Sequence, residues 1–320
     1  MNNLNNSILF SILVPAYKQR FLKECIMSVL VQSYEHFELI IVNDNSPEDL
    51  DSIVHEFSDA RLSYYKNTQG FGAIDVVGNW NRCLEYANGD YVICMGDDDR
   101  LLPNCLEQYL SLIKQYPNLD VYHARFELID ESSNIHRFNY VDKRKEFETP
   151  YELLKNRFKN RYQFIGDHLF RASELKSKGG FISFPCAWFS DEITVALLAG
   201  RKGMATTESV VFQYRVNKRT ISNNAALTDA KLKACEEARD WYMRYFEMNS
   251  SYFREQTEEL VALMNNRIQG VEDSCIASDI SFGFIKGFFK WKNRYSFWRL
   301  MGIYMIGIRR TISRFVNRLR

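Results

Sequence analysis

Five apolar residues, Tyr91-Val92-Ile93-Cys94-Met95, run straight into Gly96-Asp97-Asp98-Asp99. The run has the length of a buried strand. Three adjacent carboxylates at its end repel one another, so a fold that seats them there needs a compensating positive charge. A hard divalent cation, Mg²⁺ or Mn²⁺, meets that need, because such ions bridge one or two carboxylates to substrate phosphates. A solvated acidic turn, capping a helix begun at Leu101-Leu102-Pro103, would use the same residues for structure alone. The surrounding chain decides between the two.

Ile8–Val14 is a second apolar run, broken by Ser11 alone and closed by Pro15, and Phe37–Val42 is a further buried strand, ending in Asn43-Asp44-Asn45-Ser46-Pro47. Around them the spacing predicts helices over 21–32, 50–57, 76–87 and 104–115, a strand over 62–65 and a Gly-rich loop over 67–72. Strands that alternate with helices in this way form a mostly parallel sheet with right-handed crossovers. Such sheets bind ligands beyond the carboxyl ends of their strands. Pro15-Ala16-Tyr17, Asn43-Asp44-Asn45 and Asp97-Asp98-Asp99 are expected to share that edge. No G-x-G-x-x-G loop follows the first strand and no P-loop lysine is present, so phosphate binding falls to a metal.

The 320 residues suffice for one large domain or two modest ones, and 46% hydrophobic with 25% charged residues is ordinary for a soluble globular protein. Seven scattered cysteines without a C-x-x-C pair read as reduced, buried thiols of a cytosolic protein, not a disulfide or zinc framework. No basic leader or small-residue cleavage site opens the sequence, so no signal peptide is expected. Ile8–Val14 is too short to span a bilayer.

Four stretches occur in order: Ser11–Tyr17, Glu38–Ser46, Asn79-Trp80-Asn81-Arg82, and Gly89-Asp90-Tyr91 with the aspartate run. In order and spacing, over about residues 8–222, they resemble the motifs of family-2 inverting glycosyltransferases of the GT-A fold. The resemblance implies a GT-A, Rossmann-like α/β domain over 1–225, a mixed, mostly parallel sheet flanked by helices, with a nucleotide-binding half (1–118) and an acceptor half (119–225). It implies that Pro15, Ala16, Tyr17 and Asp44 hold the base and ribose of a nucleotide-sugar donor, a UDP-sugar foremost, although Asn-Asp-Asn-Ser-Pro is also good turn chemistry. Asn81 is expected near the nucleotide or fixing its loop, whereas Trp80 reads as core.

The family's Asp-x-Asp-Asp begins here with Gly96. On the simplest mapping Asp98 binds Mn²⁺ or Mg²⁺, with Asp97 near the donor ribose or metal and Asp99 near the donor sugar or shaping the loop. Asp97 and Asp99 as the D-x-D pair are the alternative. An inverting transfer also needs a general base to take the acceptor hydroxyl's proton. Trp188–Ala199 matches the family's base-bearing helix, so Asp191 is the expected base and Glu192 its rival. Ser190-Asp191-Glu192 would equally suit simple helix capping. Phe212–Asn217, followed by Thr220-Ile221-Ser222, resembles a post-catalytic Tyr-Arg-x-His loop with Asn217 for His. Arg215 is expected there either to neutralise the leaving diphosphate or to form a structural ion pair. Without a Q-x-x-R-W motif, transfer of a single sugar is expected rather than processive synthesis.

Residues 226–320 are expected to be helical, with an apolar stripe through Leu232, Cys235, Ala238, Trp241, Tyr242 and Tyr245. From Ser281 to Arg320 there are ten Lys or Arg residues, no Asp or Glu, and Phe and Trp between them. Nucleic acid uses the same kind of charge, but bulky apolar residues interleaved with bases point to an anionic membrane surface instead. The expected partners are therefore a nucleotide-sugar donor, a glycan or lipid-linked acceptor of cell-surface polysaccharide synthesis, and the inner face of the cell membrane, where the protein would be peripheral. Two other readings use the same sheet. A nucleotidyltransferase would want a basic loop after the first strand, of which Lys18-Gln19-Arg20 is a faint echo. A non-catalytic membrane-surface assembly subunit is allowed by Gly96 and Asn217 and opposed by the intact aspartates and Asp191.

Overall fold

The computed structural model describes residues 7–136, 140, 143–217, 224–281 and 284–319, and divides into two compact units, Met1–Asn217 and Lys218–Arg320. Thr220–Ser222, Phe282 and Arg320 lie outside the described residues.

The first unit begins as four strand–helix alternations: β1 (Phe10–Ala16), α1 (Leu22–Leu30), β2 (Phe37–Asn43), α2 (Leu50–Val54), β3 (Leu62–Lys66), α3 (Val76–Tyr86), β4 (Tyr91–Cys94), a two-residue β5 (Arg100–Leu101) and α4 (Cys105–Gln115). β1 pairs in parallel with β2 and with β4, and β2 with β3. The expected carboxyl edge follows from that register, since Ala16 stands opposite Asn43 and Leu13 opposite Cys94. β1, β2 and β4 are mostly apolar, Ser11, Glu38 and Asn43 excepted, because both sheet faces are covered. Ile12, Val14, Ile41 and Ile93 pack into one core with α1 and α4, and Leu13, Val42, Val92 and Cys94 into another with α3.

The remainder of the unit adds β6 (Val121–Ile129), β7 (Phe147–Glu148), α5 (Pro150–Phe158), β8 (His168–Arg171), α6 (Ala172–Ser177), α7 (Ser190–Ala199) and β9 (Met204–Arg215). The sheet runs β3-β2-β1-β4-β8-β6-β9-β5, with β7 on another stretch of β9. β8 is antiparallel to β4 and β6, whereas the long β6–β9 ladder is parallel, so the sheet is mixed but mostly parallel by length. α5 starts at a capping box: Thr149 accepts from the Glu152 amide and Glu152 answers to the Thr149 amide, with Pro150 at the first turn.

The second unit is helical: α8 (Thr228–Met248), α9 (Ser250–Phe253), α10 (Thr257–Ser281), α11 (Phe284–Trp291) and α12 (Phe297–Leu319). α10 packs on α8, α11 and α12. The predicted stripe is largely its core, with Leu232, Cys235, Ala238, Tyr242 and Tyr245 buried. The helix expected through 228–268 breaks at Asn249 instead, and the chain restarts at Thr257. Three of the bases that look free in the sequence pair inside this unit: Lys290 with Asp229 and Asp279, Arg294 with Glu236, and Arg299 with Glu272 and Asp273. Among the described residues no helix is long and apolar enough to cross a membrane.

Candidate active site at the carboxyl edge of the sheet

The three aspartates leave β4 in different directions, and each meets a different partner. Asp97 is buried, and its Oδ2 accepts from the backbone amides of Tyr17 (2.7 Å) and Lys18 (2.6 Å) at the end of β1. Asp98 Oδ2 faces the Lys18 ammonium at 3.2 Å and accepts from the Asn217 side-chain amide. Asp99, also buried, accepts through Oδ1 from the Arg215 backbone amide at 3.0 Å. The crowding shows in their acidity. Burial and the neighbouring Asp98 charge push Asp97 up to about 6 and lift Asp99 well above the carboxylate range. Burial works against the Lys18 charge, but Asp98 and Asp97 outweigh it and raise its pKa.

Gly96 explains how the carboxylates fit. A Cβ at this position would stand 2.9 Å from Asp98 Oδ1 and 3.0 Å from Asp99 Oδ2. These two oxygens, neither of which takes a hydrogen bond from a described residue, thus fold back over the one residue without a side chain. Among the described residues the three aspartates do not bring one oxygen each within 4.8 Å of one another, so a ligand set drawn from all of Asp97, Asp98 and Asp99 is not formed. What remains is a two-carboxylate, all-oxygen pair, which fits a hard divalent cation completed by phosphate oxygens.

A second cluster does have metal-ligand spacing: His123, Asp167 and His168. All three are fully buried. Asp167 Oδ2 accepts from the Phe164 amide at 3.2 Å and lies 3.4 Å from His123 Nε2, while Oδ1 contacts His168. Burial pushes Asp167 up, but the His168 and His123 imidazoles outweigh it and hold the carboxyl below its usual range. The cluster ties the Phe164–Asp167 loop to β6 and β8. It is a staple beneath the site.

Asp44, beyond β2, organises the next loop. Its Oδ1 accepts from the Phe71 amide (2.9 Å) and the Asn67 side chain (3.1 Å), and its Oδ2 from the Gly72 amide (3.1 Å). A Cβ at Gly70 would come within 2.5 Å of the Asp44 carbonyl oxygen, so only glycine permits this closeness. The Asn67 amide is shared with Asn79, which also donates to the Val42 carbonyl. Asn79, not Asn81, is therefore the asparagine of α3 that reaches the strand edge. Asn81 exchanges two hydrogen bonds with the Phe181 backbone (3.0 and 2.8 Å) and clamps the turn after α6.

At the head of α7 the two neighbouring acids part company. Glu192 is buried and paired with Arg157 at 2.6 Å, so its charge is committed to the fold. Asp191 is half-buried and takes no side-chain hydrogen bond from a described residue, only the backbone amide of the adjacent Glu192. Burial raises it to about 6 against the pull of Arg157. Tyr214 relates it to the aspartate run: burial and then the charges of Asp99, Asp98 and Asp191 raise that phenol's pKa, so all three acids lie near enough to act on it. The approach to Asp191 is strained, with Cys186, Ala187 and Phe189 all at positive φ (61°, 56° and 70°). Non-glycine residues hold such angles only where the surroundings over-determine them, typically at functional sites.

Arg215 takes the second of its two expected roles, a structural ion pair, here with Glu24. Its guanidinium is fully buried and spends its hydrogen bonds on the Asp98 carbonyl (2.8 Å), the Asp130 carbonyl (3.0 Å), Ser133 (2.9 Å) and Glu24 (3.0 Å). It braces the aspartate loop from behind. The cation that faces the acids is Lys18, which the sequence offers only as a lysine one residue beyond Pro-Ala-Tyr. The usable signal was its place at a strand end beside an acidic one.

An open sheet with right-handed βα units, two acids folded over a glycine at its carboxyl edge and a lone carboxylate at the head of α7 together define a GT-A glycosyltransferase. The crystal structure of S. aureus TarS 1–349 has this fold, with a TM-score of 0.55 at 16% identity over 86% of this chain and 84% of that one. Its complex with UDP-GlcNAc gives a TM-score of 0.53 over the same shares. The family model for glycosyl transferase family 2 matches residues 11–197, and the chain belongs to that family. Among its relatives, the Escherichia coli UDP-Glc:alpha-D-GlcNAc-diphosphoundecaprenol beta-1,3-glucosyltransferase WfgD is 31% identical over 131 residues, 41% of this chain and 50% of that protein. An uncharacterized glycosyltransferase of Rickettsia typhi is 31% identical over 140 residues, 43% of this chain and 42% of the relative. The matches thus span about half the length of these curated relatives, or less.

Proposed function

We propose that this protein transfers one sugar, with inversion, from a nucleotide-sugar donor, a UDP-sugar foremost, to a lipid-linked or glycan acceptor in cell-surface polysaccharide synthesis. The observation that carries the reading is Asp191. It is a carboxylate with no side-chain hydrogen-bond donor among the described residues, raised to about 6 by burial, near enough to the Tyr214 phenol to act on it together with Asp98 and Asp99. A general base is most effective when its pKa lies near the working pH. Asp191 takes the proton of the acceptor hydroxyl as it attacks the anomeric carbon, and Glu192, paired with Arg157, keeps α7 in place.

On the donor side, Pro15, Ala16, Tyr17 and the Asp44 loop form the edge that receives base and ribose, as the parallel register of β1 and β2 supports. Asp97 positions that edge through the Tyr17 and Lys18 amides. Asp98 and Asp99 would hold Mn²⁺ or Mg²⁺, which supplies charge neutralisation for the departing diphosphate. WfgD uses UDP-Glc and a diphosphoundecaprenol-linked acceptor by its name, and TarS binds UDP-GlcNAc. Both support a UDP-sugar here.

The second unit supports a peripheral seat on an anionic inner leaflet. Trp298 is 83% exposed and Phe297 59%, with Met301, Met305 and Ile308 continuing along α12, in a stretch without acidic residues.

The test is a transfer assay with UDP-, GDP- and CMP-sugars and polyprenyl-diphosphate sugars, resolving the anomer by NMR. Release of one nucleotide with an inverted product is expected, lost in Asp191→Asn. A retained anomeric configuration would overturn the assignment of Asp191, and no turnover with any donor would overturn the transferase reading.

A further inference from the structure

We propose that Lys18 is a built-in counter-ion of the donor site, so that the site binds a nucleoside diphosphate without a divalent metal. The inference rests on the transferase reading and sharpens it, separating what holds the diphosphate from what the metal adds.

Three observations carry it. The first is placement. The Lys18 amide and its neighbour's are both hydrogen-bonded to Asp97, so the lysine's backbone is pinned at the end of β1. Its ammonium lies 3.2 Å from Asp98 Oδ2, at the strand edge where a donor diphosphate would sit.

The second is freedom. The Lys18 side chain is 37% exposed, and Asp98 is the one side chain it bonds among the described residues. The other cation at the site cannot turn to a ligand, because Arg215 is fully buried and its hydrogen bonds go to four protein groups. A lysine is a compact charge on a flexible stem with three donors. It can hold Asp98 in the empty enzyme and pass to a phosphate oxygen when a diphosphate arrives.

The third is division of labour on Asp98. Lys18 and Asn217 both occupy Oδ2, whereas Oδ1 is the oxygen turned over Gly96 toward Asp99 Oδ2. Ammonium and metal therefore address opposite oxygens of one carboxylate and need not exclude each other. Metal dependence then belongs to the transfer step more than to binding.

The experiment is calorimetric titration of the full chain with UDP, GDP and CDP, in excess EDTA and in Mn²⁺. Wild type is expected to lose no more than about tenfold in affinity on chelation, since one charge-assisted contact survives. Lys18→Met, which keeps the stem and the backbone amide, is expected to bind only with Mn²⁺, and Lys18→Arg to restore chelator-resistant binding. Wild-type binding abolished by EDTA, or Lys18→Met with wild-type behaviour in EDTA, would overturn the proposal and leave the transferase reading standing. No binding of any nucleotide by wild type in Mn²⁺ would instead sink that reading, and this proposal with it. A melting curve for each variant separates lost binding from lost folding.

Discussion

The two halves of the catalytic unit fix their acids by opposite means. In the β1–β4 half the working carboxylates are held by backbone: Asp97 by two amides at the end of β1, and Asp44 by two amides of its Gly-rich loop together with Asn67. In the β6–β9 half they are held by buried side-chain pairs: Glu192 with Arg157, Glu148 with Arg161, and Asp167 with two histidines. Backbone amides suit a site that must recognise a constant nucleotide, because they come with the strand ends. Buried pairs cost desolvation and give stability only as complete sets, and the Glu192–Arg157 pair holds the head of α7, where Asp191 stands.

The sharpest way to break this comparison is to neutralise that acid. Asp191→Asn is expected to lower kcat by about 10²–10⁴ with nucleotide affinity unchanged, because a base acts on the transition state alone. It is also expected to stabilise the fold, with a definite pH dependence. Asp191 holds its proton to about 6 in the folded protein against 3.8 for an unperturbed aspartate, so the folded state binds the proton more tightly. Its ionisation therefore costs stability progressively as pH rises from about 4 to about 6. The gain in Tm of the variant should be absent near pH 4 and full at pH 7. For the same reason wild-type kcat/KM should fall below pH 6, and because Asp97 also titrates near 6, the lower limb is assigned by its disappearance from the residual Asp191→Asn activity.

Breaking one pair in the second half should cost less in rate and more in fold. Arg157→Met removes the guanidinium that pairs with the buried Glu192, for an expected loss of about 3–5 kcal/mol in denaturant unfolding. The double variant with Glu192→Leu should recover most of it, whereas a purely catalytic pair would show no such rescue. Asp44→Asn tests the other half. Replacing one oxygen by a donor opposes an amide of the 67–72 loop, for an expected loss of about 1–3 kcal/mol in nucleotide binding with little change in Tm.

How much of this the sequence discloses differs between the halves for the same reason. β1, β2 and β4 are buried on both faces, so they read as apolar runs broken only by Ser11 and Glu38, and their helices were legible to within a few residues. β8 is four residues with a histidine and β5 and β7 are two residues each, too short to show a period, whereas β6 does alternate Tyr122, Ala124, Phe126 and Leu128 with His123, Arg125 and Glu127. Another available signal went unused: Thr149-Pro150-Tyr151-Glu152 spells the capping box of α5. At the site, the acids were legible because their clustering is a chemical anomaly in any sequence. Their partners were not. That Arg215 turns inward while Lys18 faces the acids, and that Asn79 rather than Asn81 reaches the strand edge, depends on which way a side chain leaves its backbone.

The smallest expected effect is the most informative about that anomaly. Gly96→Ala would press a methyl group against Asp98 Oδ1 and Asp99 Oδ2, both far ends of side chains that can yield by rotation. The fold should notice little: lost backbone freedom in the unfolded chain offsets the crowding, and the net change in stability should stay within about 1 kcal/mol. The two oxygens cannot both yield and still converge, so Mn²⁺ affinity in the presence of UDP should fall about tenfold, a coupling worth about 1.4 kcal/mol. The EDTA-resistant share of binding should not change, because Lys18 addresses the opposite oxygen of Asp98. Equal losses with and without metal would mean that the glycine serves the whole loop, and that the two oxygens do not form a site of their own.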